Sequence, residues 1–236
     1  MNKHKHSSEQ DQAAGLKRPK KKRARVEPLR ESLDGLSDWF DTSLGSSILE
    51  AQQEVLEEEL NFLFGYHLMQ LGVAPHHRLT DASRISHCFS MAPKGAVPEK
   101  AQEKLCDVQA LAELDFLPFA EETIDVTILH HVLEFSPNPQ QVLKEAARVT
   151  VPRGHIVIMG FNPYSLMGLI KPLMSLVSKA PVWRRRQLST GRIKDWLEFL
   201  DFSCVKTRQM THNLPINHPR YLRVSRSLER LCVSGR

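Results

Sequence analysis

The chain has 236 residues, 41% of them hydrophobic, and a formal charge of +5, a size that favours one globular body with extensions over two full domains. No apolar run approaches the length a membrane-spanning helix requires, and the N-terminus lacks the apolar core of a secretory signal, so a soluble, cytoplasmic protein is expected. The cysteines Cys88, Cys106, Cys204 and Cys232 are scattered with no CxxC pair, which argues against a zinc site or a disulfide framework and for reduced, mostly buried thiols.

The net charge hides an asymmetry. Residues 1–30 hold ten Lys/Arg against three Asp/Glu (net +7), residues 31–182 ten against twenty (net −10), and residues 183–236 twelve against four (net +8). Residues 1–34 are polar, basic and poor in aromatics, a composition that cannot offset its own ordering entropy, and they read as a disordered tail. Within it LKRPKKKRARVE is dense enough in charge for Lys17 to Arg25 to contact nucleic acid or a ribosome through phosphates. A solvated, solubilising arm explains the same block equally well.

The body is read as residues 35–236, with N-terminal helices over 35–64, a core over 65–163 and a C-terminal part over 164–236. From Leu36 to Phe64 the pattern is helical: Ile48, Leu49, Val55, Leu56, Leu60 and Leu63 share one stripe, with Glu50, Glu54, Glu57 and Glu58 largely opposite. A strand is predicted at Tyr66 to Leu71, and weaker strand signals follow near Ile85 to Met91 and Leu105 to Gln109. Ile124 to Leu129 is a short β-rich run, Asn138 and Pro139 open a helix through Val149, and Pro152-Arg153-Gly154 turns into a second apolar run, His155 to Phe161. Strand, helix, turn and strand at this spacing form a βαβ crossover, hence parallel strands covered by helices. Ser189 or Thr190 caps a helix carrying Ile193, Trp196, Leu197 and Leu200, Phe202 to Met210 reads as a strand, and Arg220 to Leu231 as a last basic helix.

In the order LPFAEETIDVTILHHVLEFSPNPQQVLKEAARVTVPRGHIVIMGFNP, residues 117–163 resemble the second half of a class I S-adenosylmethionine-dependent methyltransferase, and most of all the small bacterial members of the methyltransferase type 11 group with LPF, HVLEF and GFNP segments. Weaker agreement extends from Trp39 to about Arg230. The resemblance implies an α/β fold with a doubly wound, mostly parallel sheet (Rossmann-like), with the cofactor across the carboxyl ends of the strands. The sequence stops at LERLCVSGR, leaving little room for the final antiparallel strand such sheets normally have, so either a trimmed fold or a truncated copy is expected.

By this resemblance Glu113 is placed to accept from the adenine amino group, with Asp115 as a rival, and Leu114 and Phe116 to flank the ring. A carboxylate suits the task because it only accepts hydrogen bonds. LMQLGVAP falls on the first strand and its turn: Gln70 stands where an acidic residue is usual, Gly72 is the first glycine, and Val73 and Ala74 replace further small residues. The second strand near Met91 ends without the Asp or Glu that would hold the ribose. His130 and His131 end the fourth strand, where the resemblance brings the methyl donor and the acceptor together. Either imidazole could take a proton from the acceptor; alternatively one packs under the sheet and the other bonds at the surface.

Asn162-Pro163-Tyr164 reads as the loop opening the next helix, and Trp183 to Arg186 as a solvated basic turn. The absence of a catalytic triad does not count against methyl transfer, because a sulfonium is already an activated donor and positioning does most of the work. The expected function is therefore S-adenosylmethionine-dependent methylation of an unidentified acceptor, with no metal. The alternative is a methyltransferase-like module that has lost its cofactor and binds nucleic acid through its basic ends. Another doubly wound nucleotide-binding enzyme is disfavoured, since no GxGxxG or GK[ST] turn is present.

Overall fold

The computed structural model describes residues 35–36, 38–73, 77–94, 110–177, 183, 185–210 and 229–235. The proposed tail, its block from Lys17 to Arg25, Ala74 and the strand signal at Leu105 to Gln109 lie outside them.

Helix α1 (Ser43–Leu60) is opened by Thr42, whose hydroxyl accepts from the Gly45 amide, satisfying one of the amides a helix start leaves without a partner. The strands are β1 (His67–Gly72), β2 (His87–Pro93), β3 (Ala110–Ala112), β4 (Ile124–His130), β5 (Thr150–Phe161), β6 (Ser203–Met210) and β7 (Glu229–Gly235). Between them lie α2 (Val132–Phe135), α3 (Pro139–Val149), α4 (Leu166–Val177) and α5 (Thr190–Phe199). One seven-stranded sheet runs β3-β2-β1-β4-β5-β7-β6. The pairs from β3 to β5 are parallel, and β7 is antiparallel to both its neighbours.

Strand alternation builds two cores, because successive side chains leave opposite faces of a sheet. Leu68, Val126, Ile128 and Val157 pack with Ile48, Leu49, Leu56, Leu60 and Leu63 on the α1 face. Met69, Leu71, Leu129, Ile156 and Ile158 pack with Val142, Leu143, Ala146, Leu197 and Phe202 beneath α3 and α5. The far end of α1 is held to β6 by ion pairs: Lys206 Nζ and Arg208 Nε each lie 2.7 Å from Glu59, and Arg208 also meets Glu58.

Two sequence expectations change. The last strand is present: Glu229, Arg230 and Leu231, read as the end of a basic helix, open β7, which is inserted between β5 and β6. Its central place is paid in buried residues, Val233, Ser234 and Gly235, whereas charges at its start hid the β pattern. Pro152-Arg153-Gly154 is not a turn ahead of the strand. Thr150 already pairs with Ile124, and the register shifts before Val126 meets His155, so these residues form an irregularity inside β5, with Arg153 at φ 66°. Between β1 and β2 none of the described residues, 73 and 77–86, is helical. The N-terminal α1 packs on that face instead, and its position brings it to the carboxyl end of the sheet.

Candidate functional site

The order of strands reverses at β1, whose neighbours are β2 and β4, and crevices at such reversals are where open α/β sheets bind ligands. Gly72 ends β1 directly opposite His130 at the end of β4. A Cβ on Gly72 would lie 3.3 Å from the His130 Cβ and 3.5 Å from its Nδ1, so the missing side chain is what lets the His130 ring pack into this corner. The Val73 amide donates to the His130 carbonyl and the His131 amide to the Met159 carbonyl, at 3.3 and 3.0 Å.

His130 and His131 are both wholly buried, so neither occupies the surface position that sequence reading allowed for one of them. His131 adopts a left-handed conformation, φ 56°, which costs a non-glycine residue roughly 1 kcal/mol. The twist breaks the strand alternation at its last step, and both imidazoles meet one side chain, Gln52 of α1. The Gln52 amide spans them, 2.8 Å from Nε2 of each ring. His131 Nδ1 lies 3.1 Å from Glu134 Oε2, and Glu134 Oε1 accepts from the Phe161 amide at 2.7 Å. The Phe40 ring packs against both imidazoles, and the Phe161 ring lies 4.2 Å from His131. Burial, reinforced by His131 and His77, holds the His130 imidazole well below the usual histidine range, so it is neutral. One nitrogen of this cluster, His130 Nδ1, is buried and has no hydrogen-bond partner among the described residues.

Gln70 is fully buried and committed to the chain beyond β1: its amide donates to the His77 carbonyl at 2.7 Å, and its oxygen accepts from the Leu79 amide at 3.0 Å. It shapes the loop beside Gly72. At the other end of the crevice Glu113 is exposed and ion-paired to Lys94 at 3.1 Å. Lys94 follows β2 and donates its amide to Ala112, so a cation stands where the sequence lacked a carboxylate. Leu114 is buried in the lower core and Phe116 is exposed, which separates the pair expected to flank a ring. Asp115 receives a hydrogen bond from the Asn138 amide.

Asn162-Pro163-Tyr164 does form the loop before α4, the Asn162 side-chain oxygen accepting from the Tyr164 amide, and Ser165 caps the helix by accepting from the Gly168 amide. The basic turn is not wholly solvated, however, since Arg185 is 3% exposed with its guanidinium 4.2 Å from the Phe161 ring centre. Sequence reading missed Gln52, Glu134 and Phe40. Gln52 carried a signal nonetheless: it stands four residues from Ile48 and four from Leu56, a polar side chain on the apolar stripe. Among the described residues no group of three or more His, Cys, Asp or Glu could hold a metal, and no helix is long and apolar enough to cross a membrane.

A family model described as a methyltransferase domain matches residues 74–158. The uncharacterised protein YafS of Escherichia coli is 31% identical over 179 residues, covering 76% of this chain and 70% of YafS. The chain belongs to one family with YafS and carries a methyltransferase domain. Solved structures agree on the fold. An S-adenosylmethionine-dependent methyltransferase from Thermotoga maritima superposes with a TM-score of 0.59 at 17% identity, over 88% of this chain and 97% of that one. The magnesium protoporphyrin IX methyltransferase of Synechocystis, solved with S-adenosylhomocysteine bound, gives 0.57 at 14% identity over the same shares. The matched domain marks the chain as a methyltransferase, and the fold it shares is that of enzymes that use S-adenosylmethionine. The residues at the crevice suit that group: a glycine ends β1 at the reversal point, a buried imidazole nitrogen beside it has no hydrogen-bond partner among the described residues, and a carboxylate stands at the β3 end.

Proposed function

We propose that the chain methylates a small or macromolecular acceptor at the carboxyl edge of β4 and β5, with S-adenosylmethionine held from Gly72 and His130 at one end to Glu113 at the other. The observation that carries this reading is the place of Gly72 and His130, opposite each other at the carboxyl ends of β1 and β4, where the order of strands reverses. The cofactor supplies an already activated methyl group, so the protein's work is placement and exclusion of water. Gln70 fixes the loop after β1, and Glu113 offers an acceptor to an amino group. His131 has both ring nitrogens engaged, and in this reading it positions its neighbours and takes no proton from the acceptor.

Calorimetry with S-adenosylhomocysteine tests the proposal. Binding to wild type and loss of binding in Gly72→Val support it; no heat and no thermal stabilisation at millimolar ligand overturn it. A second reading concerns the acceptor and rests on the net charge of +7 over residues 1–30: the basic block recruits a phosphate-bearing acceptor such as RNA. Nucleic-acid binding that weakens steeply with salt and disappears on removal of residues 1–30 supports it, and salt-independent or unchanged binding removes it.

A further inference from the structure

The buried cluster around His130 has a direction built into it, and the direction starts at Glu134. As a carboxylate, Glu134 can only accept, and its Oε1 already takes the Phe161 amide. Its Oε2, 3.1 Å from His131 Nδ1, therefore requires a proton on that nitrogen. The Gln52 amide nitrogen lies 2.8 Å from His131 Nε2 and can only donate, so that ring nitrogen is the acceptor and the His131 proton sits at Nδ1. The Gln52 oxygen is thereby turned to His130 Nε2, which must carry its proton. A neutral imidazole protonated at Nε2 has a bare lone pair at Nδ1. That atom is the one buried without a partner among the described residues, beside Gly72, and a buried acceptor left unmade costs about 1–3 kcal/mol.

We propose that Glu134, His131 and Gln52 form a relay that fixes the His130 tautomer, so that His130 Nδ1 accepts a hydrogen bond from the α-ammonium group of the bound cofactor. This rests on the reading that S-adenosylmethionine lies across the crevice. The span agrees with it: from β4 through β1 and β2 to β3 is three strand spacings, roughly 14 Å, which suits a ligand with its adenine amino group at Glu113 and its amino-acid end at His130. Of the cofactor's donors, the ammonium is the one that a neutral nitrogen in a dry corner rewards most, because a charge-assisted bond is about twice as strong as a neutral one. His130 would be a cofactor contact, and Gln52, His131 and Glu134 positioning residues that act through it.

The test is ¹⁵N NMR of histidine-labelled full-length protein, combined with calorimetry. Wild type should show His130 Nδ1 unprotonated before ligand is added, and that resonance should shift on binding S-adenosylhomocysteine but not 5′-methylthioadenosine, which lacks the amino-acid end. Gln52→Leu should let His130 adopt the other tautomer and weaken S-adenosylhomocysteine about ten- to a hundredfold, the loss expected for one hydrogen bond to a charged group, while leaving 5′-methylthioadenosine affinity within about threefold. His130→Asn, which keeps an acceptor near the Nδ1 position, should recover part of what His130→Leu loses. If Nδ1 is protonated in wild type, or both ligands leave it unmoved while calorimetry shows them bound, the relay is wrong and the cofactor site stands. If neither ligand binds, both proposals fall. The wild-type resonances decide the matter even if the variants do not fold.

Discussion

Gly72 and His130 face each other across β1 and β4, and the imidazole occupies the space a side chain at 72 would need. Gly72→Val would force two methyl groups against a ring that Gln52 and Phe40 already hold. Overpacking of this kind costs about 1–3 kcal/mol, and the denaturation midpoint should fall accordingly. Cofactor affinity should be lost as well. A folded Gly72→Val protein with unchanged S-adenosylhomocysteine affinity would show that the ligand does not approach the sheet here.

The neutrality of His130 has a pH consequence. Its folded pKa is depressed, mainly by burial, so below the ordinary histidine value near 6.5 the unfolded chain binds a proton that the fold refuses. Stability is therefore fully present above about pH 7 and falls as pH drops through the window from about 6.5 downward, by up to about 1.4 kcal/mol per pH unit from this residue. His155, half-buried and depressed by the same cause, adds in the same direction. Urea titrations of wild type and His130→Asn between pH 8 and pH 5.5 measure the difference in slope; equal slopes would mean that His130 is protonated within the fold.

How far the sequence disclosed this protein depends on which interactions are local. The strand, helix and strand from Ile124 to Phe161 were readable because each carries its own signal: a β-rich run, Pro139 at a helix start, and an apolar IVIMGF. β7 was not, because its residues form a strand only through β5 and β6, which flank it from remote parts of the chain. The histidine pair was legible as a place but not as an arrangement. Its partner Gln52 lies 78 and 79 residues away, and the left-handed turn at His131 that aims both rings at it has no glycine to announce it. Glu113 was legible as a carboxylate, whereas its neighbour Lys94 comes from another strand.

Gln70 illustrates a substitution of roles. Where the family usually has an acid, this amide holds both a carbonyl and an amide of the chain after β1. Gln70→Leu would strand both, at about 1–3 kcal/mol for each buried group left unpaired. Gln70→Glu would keep the bond from the Leu79 amide but set a buried carboxylate against the His77 carbonyl, so it should destabilise at least as much as Gln70→Leu at neutral pH. Chemical denaturation of the two variants reads the order directly. If Gln70→Leu is as stable as wild type, the loop does not depend on this clamp.

Glu113 separates binding from stability. Its ion pair with Lys94 is solvent-exposed on both sides, with the two side chains 63% and 68% accessible, and exposed pairs contribute at most about 1 kcal/mol. Glu113→Ala should therefore leave the melting temperature almost unchanged. The same change removes the acceptor offered to the adenine amino group, and one hydrogen bond to a charged group is worth about 1.5–3 kcal/mol, so S-adenosylhomocysteine should bind at least tenfold more weakly. Lys94→Ala provides the control: it breaks the same ion pair but frees the carboxylate, and affinity should hold or rise. Equal losses in the two variants would mean that the ion pair, and not the Glu113 carboxylate, supports the site.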